Sequence, residues 1–169
     1  MRRCYIARSH WKMEVNLMPT GSYQFGLWKL LVSWEGNIVY RVQFVRTSPT
    51  GDGVPLSFIK YLTGNGVSFF PFISSYVIGD TIYARIYRAV ADIPYGEMRT
   101  YREIASISAT HPWVVGNAMA RNPTALIVPC HRVIATDGTL GGFTPDLQIK
   151  KDLLEMEFSK KYIKKYLNY

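Results

Sequence analysis

The stretch from Thr100 to Pro123 reads TYREIASISATHPWVVGNAMARNP and predicts two short helices joined by a tight break. Thr100 is a favourable helix N-cap, and Glu103 stands three residues later, which is the spacing of a capping box. The two helices are predicted at 101–107 and 112–121, the second opening on a proline, which suits a first helical turn. This pattern is typical of a helix-turn-helix that enters a DNA groove, although helical hairpins are also common in protein cores.

The first part of the chain is predicted to be rich in β-structure. Aromatic and β-branched residues dominate the runs 27–34 and 38–45, and Glu35-Gly36-Asn37 between them fits a hairpin turn. A short helix is predicted at 56–62. Residues 69–75 suit neither a helix nor a strand, so we expect them to link this part to a second, helical part.

The helical part begins near Thr81. Apolar residues recur at helical spacing from Ile82 to Ile93, and Pro94 ends that helix. The sequence therefore predicts an N-terminal αβ domain over residues 1–75 and a helical C-terminal domain over residues 76–169. Its fold class is α/β in the broad sense (α+β).

Charge and hydropathy restrict the partners. The chain carries 20 basic and 12 acidic residues, a net charge of +8, which suits a polyanion but does not by itself require one. It has no apolar run of transmembrane length, and its first residues lack the apolar segment of a signal peptide. We expect a monomer with no membrane partner, located in the cytoplasm or, in a eukaryote, the nucleus.

Two cysteines offer little support for a disulfide or a metal site. An intracellular location argues against a bridge between Cys4 and Cys130. A zinc site using Cys4 and His10 would lack a further nearby cysteine to complete a tetrahedral set. We predict no metal and no cofactor.

Cys130 is the strongest candidate for a reactive group. It follows the apolar run 126–128 and Pro129, and His131 comes directly after it. A neighbouring imidazole lowers a thiol pKa and so favours the nucleophilic thiolate. Neighbouring side chains on a strand point to opposite faces, an objection that a kink at Pro129 would remove. The alternative is a buried cysteine that acts only as a small apolar residue.

Together these segments resemble the O6-alkylguanine-DNA alkyltransferases, which remove an alkyl group from a guanine oxygen in DNA. The resemblance extends over residues 82–157 and only loosely over the first half. Its motifs are Ile93-Pro94-Tyr95-Gly96-Glu97, Thr100-Tyr101-Arg102-Glu103-Ile104-Ala105, Val115-Gly116-Asn117-Ala118-Met119 with Asn122-Pro123, Ile127-Val128-Pro129-Cys130-His131-Arg132-Val133, Asp137-Gly138 with Gly141-Gly142-Phe143, and Lys150-Lys151-Asp152-Leu153-Leu154-Glu155-Met156-Glu157. The resemblance implies an RNase H-like N-terminal domain and a winged helix-turn-helix.

The resemblance also implies the catalytic roles. Cys130 would accept the alkyl group in an in-line displacement, with His131 as the base, acting through a water, and Glu157 orienting the imidazole. Tyr101 would crowd the phosphate and help to protonate the leaving guanine, and Asn122 would brace the active-site turn. The thioether product is not cleaved, so each molecule would act once.

The implied partner is double-stranded DNA containing O6-alkylguanine, with O4-alkylthymine as a second candidate lesion. The damaged base must leave the stack to reach a buried thiol. Residues implied to contact DNA are Tyr101, Arg102, Trp113, Asn117, Arg121 and Arg132. Residues implied to line the base pocket are Ala125, Val133, Phe143 and Thr144.

Two positions depart from the family pattern. Phe143 replaces a more usual tyrosine, so one hydroxyl contact to the base is missing. Trp113 stands where an arginine finger is usual. A tryptophan there is either a flat wedge that stacks inside the duplex or a core residue, with His111 or Arg121 taking the polar role.

Three other functions compete with alkyl transfer. An alkyltransferase-like protein would bind lesions without repairing them, but such proteins carry another residue at the position of Cys130. A cysteine hydrolase would need an oxyanion hole, for which no motif is present. A DNA-binding regulator would need only the charge and the helix-turn-helix.

Overall fold

The computed structural model describes residues 20–47, 53–65 and 68–158. Its first part contains a four-stranded sheet in the order β1-β2-β3-β4, in which β1, β2 and β3 are antiparallel and β4 runs parallel to β3. The strands are β1 (Thr20–Phe25), β2 (Trp28–Glu35), β3 (Ile38–Val45) and β4 (Ile73–Ser74).

The predicted hairpin is confirmed. Gly36 takes a positive φ of 54° at the turn between β2 and β3, a conformation that glycine adopts without a side-chain penalty. Leu27, predicted to open the first strand, instead lies in the preceding turn and is 85% exposed. No strand was predicted at the position of β1. The linking segment 69–75 was predicted to lack regular structure, yet it supplies the two residues of β4.

Helix α1 (Leu56–Leu62) has the predicted bounds and covers the sheet. It buries Phe58, Tyr61 and Leu62 against the apolar face of β2 and β3. The same hydrophobic cluster takes in residues from the second part of the chain, namely Leu126, Ile149 and Leu153. The two parts therefore share a core, and the domain boundary near residue 75 stays a prediction.

Up to Phe158, where the described residues end, the second part contains four α-helices. They are α2 (Ile82–Ala91), α3 (Tyr101–Ile107), α4 (Pro112–Ala120) and α5 (Leu147–Glu157). The predicted capping box at the start of α3 is confirmed, because Thr100 Oγ1 accepts from the Glu103 N–H and the Glu103 carboxylate accepts from the Thr100 N–H. Helix α4 starts at the predicted proline and ends one residue before the predicted Arg121.

Helices α2, α3 and α4 form a second hydrophobic core. Its members are buried apolar residues on the facing sides of the three helices and on the segment that carries the candidate thiol: Ile86, Tyr87, Val90, Ile93, Ile104, Ala105, Val115, Ala118, Met119, Val128, Cys130 and Val133. The helix pair α3–α4 thus has a packed inner face, which leaves its outer face free for a ligand. The assignment of the first part as RNase H-like and of the second part as a winged helix-turn-helix remains a prediction.

The loop between α4 and Cys130 is fastened to the sheet. The Val42 N–H on β3 donates to the Pro123 carbonyl at 2.8 Å. The buried hydroxyls of Ser74 and Thr124 lie 2.7 Å apart. After the loop, β6 (Val133–Ile134) pairs in parallel with β5 (Arg99–Thr100). The segment that carries Cys130 is therefore held from both parts of the chain.

Within the described residues, no helix is long and apolar enough to cross a membrane. The candidate zinc ligands Cys4 and His10 lie outside the described residues, as does most of the chain after Glu157.

Candidate active site

Cys130 begins a 3-10 turn, Cys130–Arg132, directly after Pro129. Pro129 has φ −77° and ψ 69°, so the chain leaves an extended path at this residue. The objection that neighbouring strand residues face opposite sides does not apply to a turn. Cys130 is only 7% exposed, and it lines a cavity of about 820 Å³.

The amide side chain of Asn122 braces the loop that leads to the thiol. Its Nδ2 donates to the Val128 carbonyl at 2.8 Å, and its Oδ1 accepts from the Thr124 N–H at 3.1 Å. Asn122 also lines the cavity beside Cys130. These contacts agree with the bracing role that the resemblance implied.

The thiol is not activated in the way that the sequence led us to expect. Burial raises the pKa of Cys130 above its ordinary value, and the hydrogen bond from Asn122 and the positive charge of Lys150 offset that rise only in part. The expectation that an adjacent imidazole lowers this pKa is wrong for the resting protein. Formation of the thiolate therefore requires a base to take the proton.

His131 can be that base. Its Nε2 lies 2.7 Å from Glu157 Oε1, and both side chains are buried. An ionised carboxylate only accepts hydrogen bonds, so we assign the ring proton to Nε2. Nδ1 then carries the free lone pair, and it has no hydrogen-bond partner among the described residues. Burial lowers the pKa of His131, so the ring is neutral in the resting protein and the Nδ1 lone pair is available to accept a proton.

Glu157 is an ionised carboxylate in the interior. Burial alone would raise its pKa, but hydrogen bonds from His131 and Arg132 and the positive charge of Arg132 outweigh burial and hold the pKa well below its ordinary range. The Gly96 N–H adds a further donor at 3.2 Å to Oε2. The last turn of α5 thus delivers a fixed negative charge to the imidazole, as the resemblance implied.

Arg132 was predicted to contact DNA, and this prediction is wrong because the side chain is buried. Its Nε and Nη2 donate to the two oxygens of Glu157 at 2.9 and 2.8 Å. Its Nη1 donates to the Ile93 carbonyl at 2.7 Å. A guanidinium with these partners neutralises the buried carboxylate and is not available to a phosphate.

Tyr61 is a site residue that was not predicted from the sequence. It lies on α1, in the first part of the chain, and is fully buried. Its hydroxyl donates to Glu157 Oε1 in a short hydrogen bond and lies 3.0 Å from His131 Nε2. No sequence signal identified it, because an aromatic residue on the apolar face of a helix is usually a core residue.

Six predicted site residues line the cavity beside Cys130: Tyr101, Arg121, Asn122, Ala125, Phe143 and Thr144. Burial raises the pKa of Tyr101, so its hydroxyl stays protonated and can donate. A Cβ at Gly141 would lie 3.0 Å from the Tyr101 hydroxyl oxygen, and Gly141 has φ +65°, so glycine fits this position best.

Val133 does not line the cavity, and that prediction is corrected. It is fully buried in the second core, on β6, and its carbonyl accepts from Lys150 Nζ at 2.6 Å. Lys150 is also buried, and burial lowers its pKa to about 8. A further part of the cavity wall comes from β3, through Tyr40, Arg41 and Gln43, none of which was predicted from the sequence.

The outer face of the helix pair carries the predicted DNA contacts. Arg102 and Arg121 are exposed, and Asn117 is partly exposed with its amide bonded to the Trp113 carbonyl at 3.1 Å. Trp113 is 73% exposed in the first turn of α4. The alternative that Trp113 is a core residue is therefore wrong.

Comparison with known proteins places this site in a family. The family model for the DNA-binding domain of 6-O-methylguanine DNA methyltransferase matches residues 81–159. A methylated-DNA–protein-cysteine methyltransferase of Sulfolobus acidocaldarius is 41% identical over 100 residues, which cover 59% of this chain and 63% of that protein. One of Methanosarcina barkeri is 48% identical over 81 residues, 47% of this chain and 51% of that protein.

Solved structures extend the similarity over most of the chain. A crystal structure of Mycobacterium tuberculosis OGT in complex with DNA is 31% identical, with a TM-score of 0.68, covering 82% of this chain and 91% of that one. The O6-methylguanine-DNA methyltransferase of Pyrococcus kodakaraensis is 25% identical with a TM-score of 0.60, covering 82% of this chain and 97% of that one. In sequence alone, the chain spans between half and two thirds of the two relatives above.

Proposed function

This chain belongs to the 6-O-methylguanine DNA methyltransferase family, and we propose that it repairs alkylated DNA by direct reversal. The alkyl group of O6-alkylguanine, or of O4-alkylthymine, moves to Cys130 after the base leaves the stack. The observation that carries this proposal is the arrangement around Cys130. Its buried thiol lines the cavity, and the next residue, His131, is a neutral imidazole that is hydrogen-bonded to the ionised carboxylate of Glu157.

The transfer proceeds by proton removal and displacement. His131 Nδ1 takes the proton of the Cys130 thiol through a bridging water, and Glu157 stabilises the imidazolium that forms. The thiolate attacks the alkyl carbon, so a C–S bond forms as the C–O6 bond breaks. The electron pair of that bond stays on the guanine, which Tyr101 helps to protonate. The thioether has no leaving group, and each molecule therefore acts once.

The cavity supports recognition of a single flipped base. A buried thiol cannot reach an oxygen inside the duplex stack, so the base has to enter the protein. Phe143 offers an aromatic face to the base, and Ala125 and Thr144 leave room beside it. Because Phe143 lacks a hydroxyl, hydrogen bonding to the base is left to other groups of this cavity.

Duplex DNA is the proposed partner. The net charge of +8 favours a polyanion, and the exposed Arg102 and Arg121 lie on or next to the helix pair that the family uses to bind DNA. Trp113 projects from the start of α4, where its ring would stack on the bases beside the emptied position. Base–aromatic stacking contributes about 1–3 kcal/mol per base, which is enough to support a wedge without an arginine.

The test is the intact mass of the protein after incubation with an oligonucleotide duplex that contains O6-methylguanine. We expect a gain of one methylene mass on the peptide that holds Cys130, and no gain in Cys130→Ala. Binding of the duplex without a change in mass would instead indicate an alkyltransferase-like protein that does not repair. Repeated turnover without an adduct would indicate a hydrolase.

A further inference from the structure

Tyr61 connects the N-terminal part of the chain to the alkyl-transfer site. It stands 70 residues before His131 and 96 before Glu157, yet its hydroxyl contacts both side chains. The ring packs against Phe69 at 4.7 Å and against Tyr95 at 6.0 Å between centroids. Its ring is therefore held by aromatic packing at the first core.

Three groups meet at one carboxylate oxygen. Glu157 Oε1 accepts from the Tyr61 hydroxyl, from His131 Nε2 at 2.7 Å and from Arg132 Nη2 at 2.8 Å. Arg132 neutralises the charge, but it does not contact the imidazole in the described hydrogen bonds. Among the described residues, Tyr61 is the partner of this oxygen that also lies within hydrogen-bond distance of the imidazole, at 3.0 Å. It thus constrains the carboxylate and the ring together.

This triangle of contacts favours one arrangement of protons. The Tyr61 hydroxyl donates to the carboxylate, so its oxygen presents lone pairs towards His131 Nε2. The Glu157 carboxylate and the Tyr61 oxygen can then both accept a hydrogen bond from His131 Nε2–H. The other tautomer, with the proton on Nδ1, would leave both acceptors without this donor and is therefore disfavoured. A neutral imidazole held in the Nε2–H tautomer keeps Nδ1 free to take the proton from the thiol.

We infer that Tyr61 is a positioning residue for alkyl transfer, whose hydroxyl holds Glu157 and the tautomer of His131 in the arrangement that deprotonates Cys130. The inference rests on the proposed function and gives the N-terminal part a share in the chemistry. The alternative is that the ring only fills the first core. Removing the hydroxyl distinguishes the positioning role from the packing role, because packing requires only the ring.

Tyr61→Phe keeps the ring and removes the hydroxyl. Loss of a hydrogen bond to a charged group changes an equilibrium or a rate by about 10- to 100-fold, so we expect a fall of that size in the single-turnover transfer rate. Tyr87→Phe is the matched control. It also loses a buried hydroxyl, one that donates to the Ala118 carbonyl at 3.1 Å, and it should change the rate by less than about threefold.

A double-mutant cycle with Glu157→Gln distinguishes positioning from packing. If Tyr61 acts through Glu157, adding Tyr61→Phe to Glu157→Gln will lower the rate by less than about threefold, because the group it positions is already changed. An equal loss in both backgrounds would overturn the inference. All rates are measured with O6-benzylguanine as the free base, below the melting temperature of the least stable variant, so that neither DNA affinity nor unfolding contributes.

The pH profile of the transfer rate is a second readout that packing alone would not move. Three charged groups act on His131, namely Glu157 from α5, Arg132 from the 3-10 turn and Lys150 from α5. Removal of the Tyr61 donor leaves more of the Glu157 charge facing the imidazole. The acidic limb of the profile should therefore move to higher pH in Tyr61→Phe and stay in place in Tyr87→Phe.

The outcomes separate this inference from the proposed function. A wild-type protein that gains no alkyl group would refute the proposed function itself. A wild-type protein that reacts, together with a Tyr61→Phe variant of equal rate and equal pH profile, would refute the role of Tyr61 alone.

Discussion

Replacement of Glu157 by glutamine keeps the side-chain size but exchanges one carboxylate oxygen for an NH2 group. In the wild-type chain both oxygens only accept hydrogen bonds, from Tyr61, His131, Arg132 and the Gly96 N–H. An NH2 group beside the imidazole needs an acceptor there, which the ring provides only if its proton moves to Nδ1. In the opposite orientation of the amide, the NH2 group faces the guanidinium of Arg132, which is itself a hydrogen-bond donor. In both orientations the neutral amide no longer stabilises an imidazolium.

The size of the effect follows from these contacts. A positioned general base contributes about 100- to 10,000-fold to a rate, so we expect Glu157→Gln to slow alkyl transfer by a factor in that range. Arg132 loses its countercharge in the interior, and breaking a buried ion pair costs about 3 kcal/mol or more. For a chain of this size that loss lowers Tm by about 6–12 °C.

The assay is single-turnover transfer from duplex O6-methylguanine, followed by intact mass, with DNA affinity and Tm measured on the same samples. DNA affinity should stay close to wild type, because Glu157 faces the interior. Glu155→Gln, an exposed change on the same helix, controls for loss of one negative charge. An unaltered transfer rate in a folded Glu157→Gln protein would remove Glu157 from the mechanism.

Three further predictions concern DNA binding and pH. Trp113→Ala should weaken repair of duplex lesions by about 5- to 100-fold, the loss expected from one stacking contact, with a smaller effect on O6-benzylguanine; equal losses would contradict the wedge. Arg102→Ala should weaken binding to all duplex sequences alike and reduce the slope of log affinity against log salt by about 1, and an unchanged slope would exclude a phosphate contact. Urea unfolding should show stability falling as the pH drops below about 6.5, because burial lowers the pKa of His131 and the unfolded chain alone takes up that proton. His131→Asn should flatten this dependence, and an equal slope in both proteins would refute the assignment.

Local features of both parts of the chain could be predicted from the sequence. The capping box at Thr100 and Glu103 depends on residues three positions apart, and the structure has it as predicted. The same holds for the proline that opens α4 and for the turn at Gly36. Such features are encoded in short segments, so a single sequence suffices to locate them.

Contacts between distant segments could not be predicted in this way. Arg132 looked like a DNA contact because its neighbours in the chain do not show that the carboxylate of Glu157 lies beside it. Tyr61 was not predicted as a site residue for the same reason. The rise in the pKa of Cys130 depends on how completely the fold buries the thiol, which no motif reports.

The central claim is that Cys130 accepts one alkyl group and is not regenerated. The most direct measurement is the amount of guanine restored by a known amount of protein in the presence of excess O6-methylguanine duplex. We predict a plateau at one restored guanine per protein molecule, with every modified molecule carrying the methyl group on Cys130. Restoration that continues beyond one equivalent, or a methyl group on another residue, would contradict the claim.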